Sequence, residues 1–365
     1  MADLVLNNKC IFISAGGTGG HVFPATSLAK VLQEQGYKIV FITDKRQESF
    51  VSLNCDVEII DVVSLSGGLI KKIRGLYYLV RSMLQLKKIF SRYNPDLVVT
   101  FGGYTSFPTL LMAKIKDIKI ILHEQNSVLG KVNRIMAEVA NKVALGFEET
   151  LKIEEKYKDK LVYVGNPVRP EIKNFCNIAF PENDLEFNIL VIGGSQGAKI
   201  FSRIIPKAML MLSLEDKKIV NIVQQCRKED VEQVKKTYLR INVKAEVSSF
   251  FDNMGERFAK AHLVISRAGA STIAELTVVG RAALLVPYKI ASDNHQLYNA
   301  RFLGSKNAAF IIEEDNFDPE ILFKYVSNFI KNKDSLKIMA QNAAKLSIVD
   351  SDLKMAELVS AEISK

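Results

Sequence analysis

Two glycine-rich turns follow apolar runs of the chain and come before helical patterns. The letters GGTGGH occupy 16–21 after an apolar run at 9–15 and before a helical pattern that starts near Pro24, and GGSQG occupies 193–197 after a run at 187–192. Glycines let the backbone approach a ligand closely, and a helix N-terminus offers unpaired N–H groups at the positive end of its dipole. Both turns therefore predict an anion site between a strand and a helix.

The two turns do not match the standard nucleotide motifs. A GxGxxG fingerprint counted from Gly17 puts Val22 where the third glycine belongs, and a P-loop counted from Gly193 puts Ala198 where its second glycine belongs. Asp44, after the second apolar run, still resembles the acidic residue that holds a ribose, so a dehydrogenase stays open. Alone, each turn could also be only a tight strand-to-helix connection.

Other polar residues of the first half follow apolar runs. His21 ends the first glycine turn, where a helix N-terminus disfavours the imidazolium; a neutral His21 could accept a proton, or it could simply cap the turn. The run HEQN at 123–126 and the run GGY at 102–104 lie where open α/β sheets bind ligands, at the carboxyl ends of strands. The run HEQN suits sugar or phosphate groups, with a well-bonded loop as the alternative.

The second half contains a similar group. Ser271 and Thr272 lie at the predicted start of a helix, where hydroxyl and N–H groups can hold a diphosphate, and Glu275 is placed to accept from ribose hydroxyls. A capping box would produce the same pattern for structural reasons. The run DNHQ at 293–296 opens another predicted helix, and it could bind sugar hydroxyls or cap that helix.

Apolar runs and helical patterns alternate along the whole chain, which indicates parallel sheets covered on both faces. Glycine and prolines at 165–170 predict a stiff connection. We therefore expect an α/β fold of two doubly wound domains, at 1–165 and 166–349, with a helix in 350–365 that returns to the first domain. Strands are predicted at 9–15, 38–43, 97–101, 119–122, 142–145, 187–192, 218–223, 243–247, 263–266, 282–286 and 308–312.

Composition sets broad limits. The 365 residues are 48% hydrophobic and 24% charged, as in globular proteins with a large core. The 4 cysteines lack metal-type spacing, which favours reduced thiols in a cytosolic protein. No N-terminal segment resembles a signal peptide, and no apolar run approaches the about 18 residues that a membrane span needs. We therefore expect neither feature. The DxD at 350–352 is interpreted as a helix N-cap, so we expect no metal.

The net charge of +9 predicts an anionic partner, and no nucleic-acid motif is present. Residues 62–95 contain no acidic side chain, seven basic ones and apolar residues at helical spacing. This stretch predicts a helix in an anionic membrane interface, although a core-packed helix with a solvated basic face stays open. The membrane-binding candidates are Leu69, Ile70, Lys71, Lys72, Ile73, Arg74 and Tyr77.

Seven blocks in order resemble the MurG family of peptidoglycan glycosyltransferases, at 16–24, 102–104, 123–126, 165–169, 193–198, 267–275 and 293–300. The resemblance covers nearly the whole chain. It implies the GT-B architecture, two Rossmann-like domains that face a central cleft. It also implies inverting transfer of N-acetylglucosamine (GlcNAc) from UDP-GlcNAc to the 4-hydroxyl of the N-acetylmuramyl sugar of lipid I, an undecaprenyl-pyrophosphoryl pentapeptide glycolipid, to form lipid II.

The resemblance also implies residue roles. His21, which can be neutral, is the leading candidate for the general base in such a transfer. Glu275 would hold the ribose, and the backbone at Phe251 would face the uracil. Phe251 replaces an aliphatic residue, and His295 stands where a Gln-Gln pair is frequent. The other donor-binding residues would be Thr18, Gly19, Gly20, Asn126, Arg169, Ser195, Ala270, Ser271, Thr272, His295 and Gln296.

The implied partners are UDP-GlcNAc, lipid I, an anionic phospholipid surface and other cell-wall enzymes, without nucleic acid, cofactor or metal. The implied location is the cytoplasmic face of the bacterial plasma (inner) membrane, as a peripheral protein. Two other interpretations stay open beside the dehydrogenase: a UDP-sugar-binding protein without turnover, and a related glycolipid-forming transferase, such as a diacylglycerol glucosyltransferase.

Overall fold

The computed structural model describes residues 9–17, 19–45, 54–63, 69–176, 178–182, 185–194 and 197–365, without the side chains of 69–72. The chain divides into two compact units. The first unit runs to Arg169 and also includes Asp350–Lys365, and the second is Pro170–Val349. The division therefore follows Arg169, a few residues beyond the boundary expected after Gly165.

The first unit is built on a parallel sheet. In the described part of the chain this sheet has seven strands, in the order β3-β2-β1-β4-β5-β6-β7. The strands are β1 (Cys10–Ser14), β2 (Lys38–Thr43), β3 (Asp56–Ile59), β4 (Leu97–Thr100), β5 (Lys119–Glu124), β6 (Lys142–Leu145) and β7 (Leu161–Tyr163). The helices are α1 (Gly19–Glu34), α2 (Leu69–Tyr93), α3 (Ser106–Ile115), α4 (Lys131–Met136) and the C-terminal helix α14 (Ser351–Ser364).

The first sheet is buried on both faces, which explains why its central strands are apolar throughout. In β1, Ile11 and Ile13 pack with α1 and α14 on one face, whereas Phe12 packs with α2 on the other. Helix α14 joins this core through Met355, Ala356 and Val359. The C-terminal helix thus covers the first sheet although the chain between β7 and α14 builds the second unit.

The second unit repeats the parallel design. Its described residues form a six-stranded sheet in the order β10-β9-β8-β11-β12-β13. The strands are β8 (Phe187–Ile192), β9 (Val220–Gln225), β10 (Lys244–Ser248), β11 (Leu263–Ser266), β12 (Ala283–Leu285) and β13 (Phe310–Ile311). The helices are α5 (Pro170–Lys173), α6 (Lys199–Leu210), α7 (Leu214–Ile219), α8 (Val231–Arg240), α9 (Met254–Lys260), α10 (Ala270–Val279), α11 (His295–Ser305), α12 (Pro319–Lys331) and α13 (Lys333–Lys345).

The predicted class of two parallel-sheet α/β domains is confirmed, with local differences. The first helix begins at Gly19, not near Pro24, so that His21 lies in its first turn. The two strands that the sequence did not predict, β3 and β7, are short edge strands. Among the described helices, none is long and apolar enough to cross a membrane.

Candidate functional site

In the first unit, the glycine turns meet at the point where the strand order reverses. Strands β1 and β4 are neighbours, and the chain leaves them toward opposite sides of the sheet. Open α/β sheets bind ligands outside the carboxyl ends of such strands. Gly16 and Gly17 follow β1, and Gly102 and Gly103 follow β4, so the topology brings these two pairs of glycines to one place.

The backbones of the two turns approach each other closely at Gly16 and Gly103. Gly103 has φ +86°, and a Cβ atom there would lie 2.1 Å from the Gly16 carbonyl oxygen. The carboxylate of Asp44, which is 4% exposed, accepts from the Gly17 N–H at 2.9 Å. Asp44 therefore holds the glycine turn from within the protein, which removes the main argument for a dinucleotide ribose at this position.

A chain of hydrogen-bonded polar side chains leads from the end of β5 to His21. The Nδ1 atom of His21 lies 3.1 Å from Oε1 of Gln125, and Gln125 Nε2 lies 3.1 Å from Nδ1 of His123. The Nε2 atom of His123 lies 3.0 Å from the Gly165 carbonyl oxygen. The structure thus connects three sequence blocks that looked independent, at 16–21, 123–126 and 165–169.

Glu124 organises the loop after β5. Its carboxylate accepts from the backbone N–H groups of Asn126 and Gly130 at 3.0 and 2.8 Å. It also accepts from the side-chain amides of Asn126 and Asn133 at 3.2 and 2.9 Å. The well-bonded-loop alternative is therefore correct for Glu124, which fixes the position of Asn126.

The second unit presents a matching arrangement. Strands β8 and β11 are neighbours at the reversal of its strand order, so Gly193 and Gly194, which follow β8, and the start of α10 lie at one edge. Gly269 is the N-cap of α10, with extended φ −70° and ψ 141° and no side-chain capping bond. A capping box at Ser271 or Thr272 is therefore not formed, and both residues belong to the first turn of the helix. Glu275, one turn further along, is 9% exposed.

An ion pair that the sequence did not reveal braces this edge. The Arg267 guanidinium donates to both carboxylate oxygens of Glu314 at 2.9 and 3.0 Å and to the Val286 carbonyl at 3.1 Å. Burial would raise the pKa of Glu314, but hydrogen bonds from Arg267 and the Lys289 N–H outweigh it and lower that pKa. The guanidinium also lies 5.1 Å from the ring centre of Tyr288. Arg267 therefore joins the ends of β11 and β12 to the loop before α12.

The segment before α11 is shaped by left-handed backbone. Asp293 and Asn294 have φ values of 52° and 54°, and no side-chain bond from Asn294 caps the helix. The Nδ1 atom of His295 lies 2.8 Å from the Ser292 carbonyl oxygen, so it donates to that oxygen. Gln296 accepts from the Tyr288 N–H at 2.9 Å. The side chains of His295 and Gln296 therefore each already have one polar atom bonded within this segment.

Comparisons with known proteins agree with this architecture. Residues 11–145 match the glycosyltransferase family 28 N-terminal domain, and residues 188–354 match the family 28 C-terminal domain.

Two relatives carry the name UDP-N-acetylglucosamine–N-acetylmuramyl-(pentapeptide) pyrophosphoryl-undecaprenol N-acetylglucosamine transferase. The one from Zymomonas mobilis subsp. mobilis is 37% identical over 95% of this chain and 91% of its own. The one from Wolbachia pipientis subsp. Culex pipiens is 37% identical over 97% and 99%. The crystal structure of Acinetobacter baumannii MurG superposes with a TM-score of 0.78 at 29% identity, covering 97% of this chain and 99% of that one.

This chain belongs to the MurG family. The predicted resemblance is thereby confirmed over the length of both units. Two of the residues to which the resemblance assigned donor contacts, Thr18 and Ser195, lie outside the described residues, as do the side chains of Leu69, Ile70, Lys71 and Lys72.

Two other positions expected at the MurG-family site have partners within their own units. The side chain of Phe251 is 7% exposed, and the Arg257 guanidinium lies 4.0 Å from its ring centre. The Arg169 guanidinium lies 5.4 Å from the ring centre of Phe23, next to the first turn of α1. Because the ring of Phe251 is covered, any contact of this residue with a ligand would use its backbone.

The DxD is built into the C-terminal helix. Asp350 occupies the N-cap position of α14, but its side chain makes no capping bond, which corrects the expected reason for its presence. Asp352 is 4% exposed and accepts from the Leu353 N–H at 2.9 Å. No group of three or more metal-ligating side chains occurs in the part of the chain that the structure describes.

Because His123 is buried, we expect the free energy of unfolding to decrease in acid. Burial lowers the pKa of His123 from 6.5 to about 4, against the opposing effect of its Gly165 hydrogen bond. Between these values the unfolded state binds the proton and the folded state does not, so stability falls as pH drops from 6.5 to about 4. The loss should be on the order of 2–3 kcal/mol. Urea unfolding of wild type and His123→Gln at pH 7 and pH 4.5 measures it; parallel losses in both proteins would contradict this origin.

Proposed function

We propose that this protein transfers GlcNAc from UDP-GlcNAc to N-acetylmuramyl-(pentapeptide) pyrophosphoryl-undecaprenol, lipid I, and so forms lipid II. The observation that carries the proposal is agreement with relatives of that name over nearly the whole chain. The strand-order reversals support it because each unit ends its central strands in glycine turns and polar side chains. Attack from the face opposite the leaving UDP would invert the anomeric carbon and give a β-(1→4) linkage.

The second unit has groups suited to the donor. The backbone N–H groups at the start of α10, with Ser271 and Thr272, would hold the diphosphate because the helix N-terminus attracts negative charge. Ser195 and the turn at 193–197 would add donors to the same anion. Glu275 would accept from the ribose hydroxyls, and the backbone at Phe251 would recognise the uracil. Arg267 would act indirectly, since its ion pair with Glu314 braces the neighbouring loop.

Sugar recognition would use the start of α11. Ala270, His295 and Gln296 would surround the GlcNAc, and Gln296 would donate through its amide nitrogen because its oxygen accepts from Tyr288. Asn126 would contribute from the loop that Glu124 organises.

The first unit has groups suited to the acceptor and to proton transfer. His21 would remove the proton from the acceptor hydroxyl. General-base catalysis requires that this hydroxyl lie within hydrogen-bond distance of the imidazole. Thr18, Gly19 and Gly20 would line the same turn with backbone donors. Arg169 would stabilise negative charge on the departing UDP, as positioned cations do for developing charge.

Transfer of labelled GlcNAc from UDP-GlcNAc onto a short-chain lipid I analogue, in buffer containing EDTA, tests this function. We expect a lipid II analogue with a β linkage. Binding of UDP-GlcNAc without product would reject lipid I as the acceptor and favour a related glycolipid-forming transferase. Binding without turnover on any lipid acceptor would indicate a sugar-nucleotide-binding protein, and absence of binding would reject the proposal entirely.

We also propose that α2 binds an anionic phospholipid surface, which would keep the protein on the cytoplasmic face of the plasma membrane. The helix buries Leu86, Ile89 and Phe90 against the sheet. Another stripe at helical spacing is exposed: Ile73 63%, Leu76 60%, Tyr77 59%, Val80 54% and Leu84 60%. The core-packed alternative does not account for this stripe, because more than half of each of these side chains is exposed in the described structure.

Of the arginines on the same helix, Arg74 supports a membrane partner, because the other two are paired with carboxylates of the first unit. Arg81 and Arg92 form ion pairs at 2.9 and 3.0 Å with Asp61 and Glu58. Arg74, which is exposed, lies 5.7 Å from the ring centre of Tyr78. Apolar side chains beside cations are typical of helices that lie in the interface of anionic membranes.

Removing the exposed stripe should weaken vesicle binding. The double variant Leu76→Ser/Val80→Ser should bind phosphatidylglycerol vesicles at least about tenfold more weakly, since two apolar side chains that would be buried in the bilayer are lost. Reversal of Lys71, Lys72 and Arg74 to Glu should weaken binding further at low salt, where screening is least. Flotation measures both, with Leu239→Ser as control, because Leu239 is 76% exposed in the second unit. Equal flotation of all variants would reject the surface.

A further inference from the structure

The polar chain behind His21 begins at a fully buried histidine whose protonation is determined by its neighbours. His123 is 0% exposed and lies against Phe101, with ring centres 4.8 Å apart. Its Nε2 atom lies 3.0 Å from the Gly165 carbonyl oxygen, which can only accept, so Nε2 carries the hydrogen. Burial lowers the pKa of His123 to about 4, so the ring is neutral near pH 7. The lone pair of His123 is therefore on Nδ1.

The next link, Gln125, has only one satisfactory amide orientation. Its Nε2 atom lies 2.7 Å from the Phe101 carbonyl oxygen and 3.1 Å from Nδ1 of His123, and both of these atoms accept. The two hydrogens of the amide nitrogen match these two acceptors. A flipped amide would set its oxygen against both acceptors and lose both bonds, at a high cost because Gln125 is 3% exposed. The Oε1 atom of Gln125 must therefore be the atom that faces His21.

We propose that Gln125 is a positioning residue that fixes the tautomer of His21, with the hydrogen on Nδ1 and the lone pair on Nε2. The Oε1 atom can only accept, and it lies 3.1 Å from His21 Nδ1, so Nδ1 must donate. Gly102 provides the room for this ring position, since a Cβ atom there would lie 3.1 Å from both Nδ1 and Cε1 of His21. The tautomer is thus determined by a chain of neutral groups that begins at the Gly165 carbonyl.

This assignment deepens the proposed function and rests on it for its chemical consequence. In the transfer, Nε2 of His21 takes the proton of the acceptor hydroxyl while that oxygen bonds to the anomeric carbon. The bond from that carbon to the phosphate oxygen breaks, and its electron pair leaves with UDP. The imidazolium that forms keeps its Nδ1–H bond to Gln125. A histidine with the opposite tautomer would present N–H to the acceptor hydroxyl and could not take its proton.

The nitrogen resonances of histidine test the tautomer directly. The full-length protein has 4 histidines, so selective ¹⁵N labelling gives few signals, and His21→Gln identifies those of His21. In wild type we expect the downfield, unprotonated signal of His21 at Nε2. In Gln125→Met, which has no acceptor, we expect the mixture of a free imidazole, in which Nε2–H predominates. A His21 ring protonated on Nε2 in wild type, or one that keeps its tautomer in Gln125→Met, would overturn the proposal.

Kinetics test the consequence. Gln125→Met should lower kcat by about 10–100-fold, less than the roughly 10²–10⁴-fold that a general base supplies, with the KM for UDP-GlcNAc nearly unchanged. Gln33→Met, near the other end of α1, removes an amide bonded to the Asn54 carbonyl and serves as the control. An altered tautomer with undiminished kcat would overturn the catalytic part.

The two readouts separate the two proposals. The nitrogen spectra are recorded without substrate, so they decide the tautomer even if no transfer to lipid I is found. If Gln125→Met does not fold, the wild-type spectrum still decides the tautomer, because Nε2–H on His21 there would overturn the proposal.

Discussion

Replacing His21 by Ala should lower the turnover of GlcNAc transfer by about 10²–10⁴-fold, the amount that a positioned general base contributes. Donor affinity should be nearly unchanged, because the residues proposed to hold UDP-GlcNAc lie mostly in the second unit. His21 lies in the first turn of α1, and its Nδ1 atom lies 3.1 Å from Oε1 of the neutral Gln125. This geometry supports the assignment. Steady-state transfer and equilibrium titration of UDP-GlcNAc measure the two quantities separately.

A control on the same helix distinguishes chemistry from structure. Thr26→Ala removes a hydroxyl that donates to the Phe23 carbonyl at 2.9 Å, and it should retain turnover. Turnover close to wild type in His21→Ala would remove His21 from the role of base. A loss of donor affinity equal to the loss of turnover would indicate a binding role instead.

Gly103→Ala should be the most damaging small substitution in the first unit. The added Cβ atom would lie 2.1 Å from the Gly16 carbonyl oxygen, at a residue with φ +86°. The clash involves backbone on both sides, so one of the two glycine turns must move. We expect a cost of about 4 kcal/mol or more in the free energy of unfolding, in the range of exceptional substitutions, together with loss of transfer.

Gly17→Ala is a matched control for this effect. Gly17 has a similar φ of +91°, but the nearest atom to an added Cβ there is the Gly103 Cα at 3.7 Å. It therefore carries the left-handed strain without the clash, about 1–2 kcal/mol. Urea unfolding of both variants separates the two contributions. Equal costs would mean that the close approach of the two turns does not limit the fold.

Much of the fold could be predicted because fully buried parallel strands have an unmistakable composition. The runs 38–43, 142–145, 187–192 and 263–266 coincide with β2, β6, β8 and β11. The two unpredicted strands lie at an edge, where burial is incomplete and the apolar signal weakens: all residues of β3 except the exposed Asp56 are half-buried. The start of α1 was misplaced because Pro24 is a typical first-turn residue, whereas here it lies inside the helix.

Local spacing located the two glycine turns, since a glycine turn between a strand and a helix is a pattern within about ten consecutive residues. It also identified His21 as a candidate base. Only the tertiary structure shows which distant parts of the chain form hydrogen bonds and ion pairs with the candidate residues. The bond between Gln125 and His21 joins positions 104 residues apart, and the pair of Arg267 and Glu314 joins positions 47 apart.

The physical reason is that hydrogen-bond partners and burial depend on where separate strands end, not on neighbours in sequence. The amino-acid sequence by itself determined the α/β class, the glycine turns and the family to which the chain belongs. The tertiary structure decided that Asp44 supports a turn, that the α2 stripe is exposed, and that a chain of neutral groups leads from Gly165 to His21.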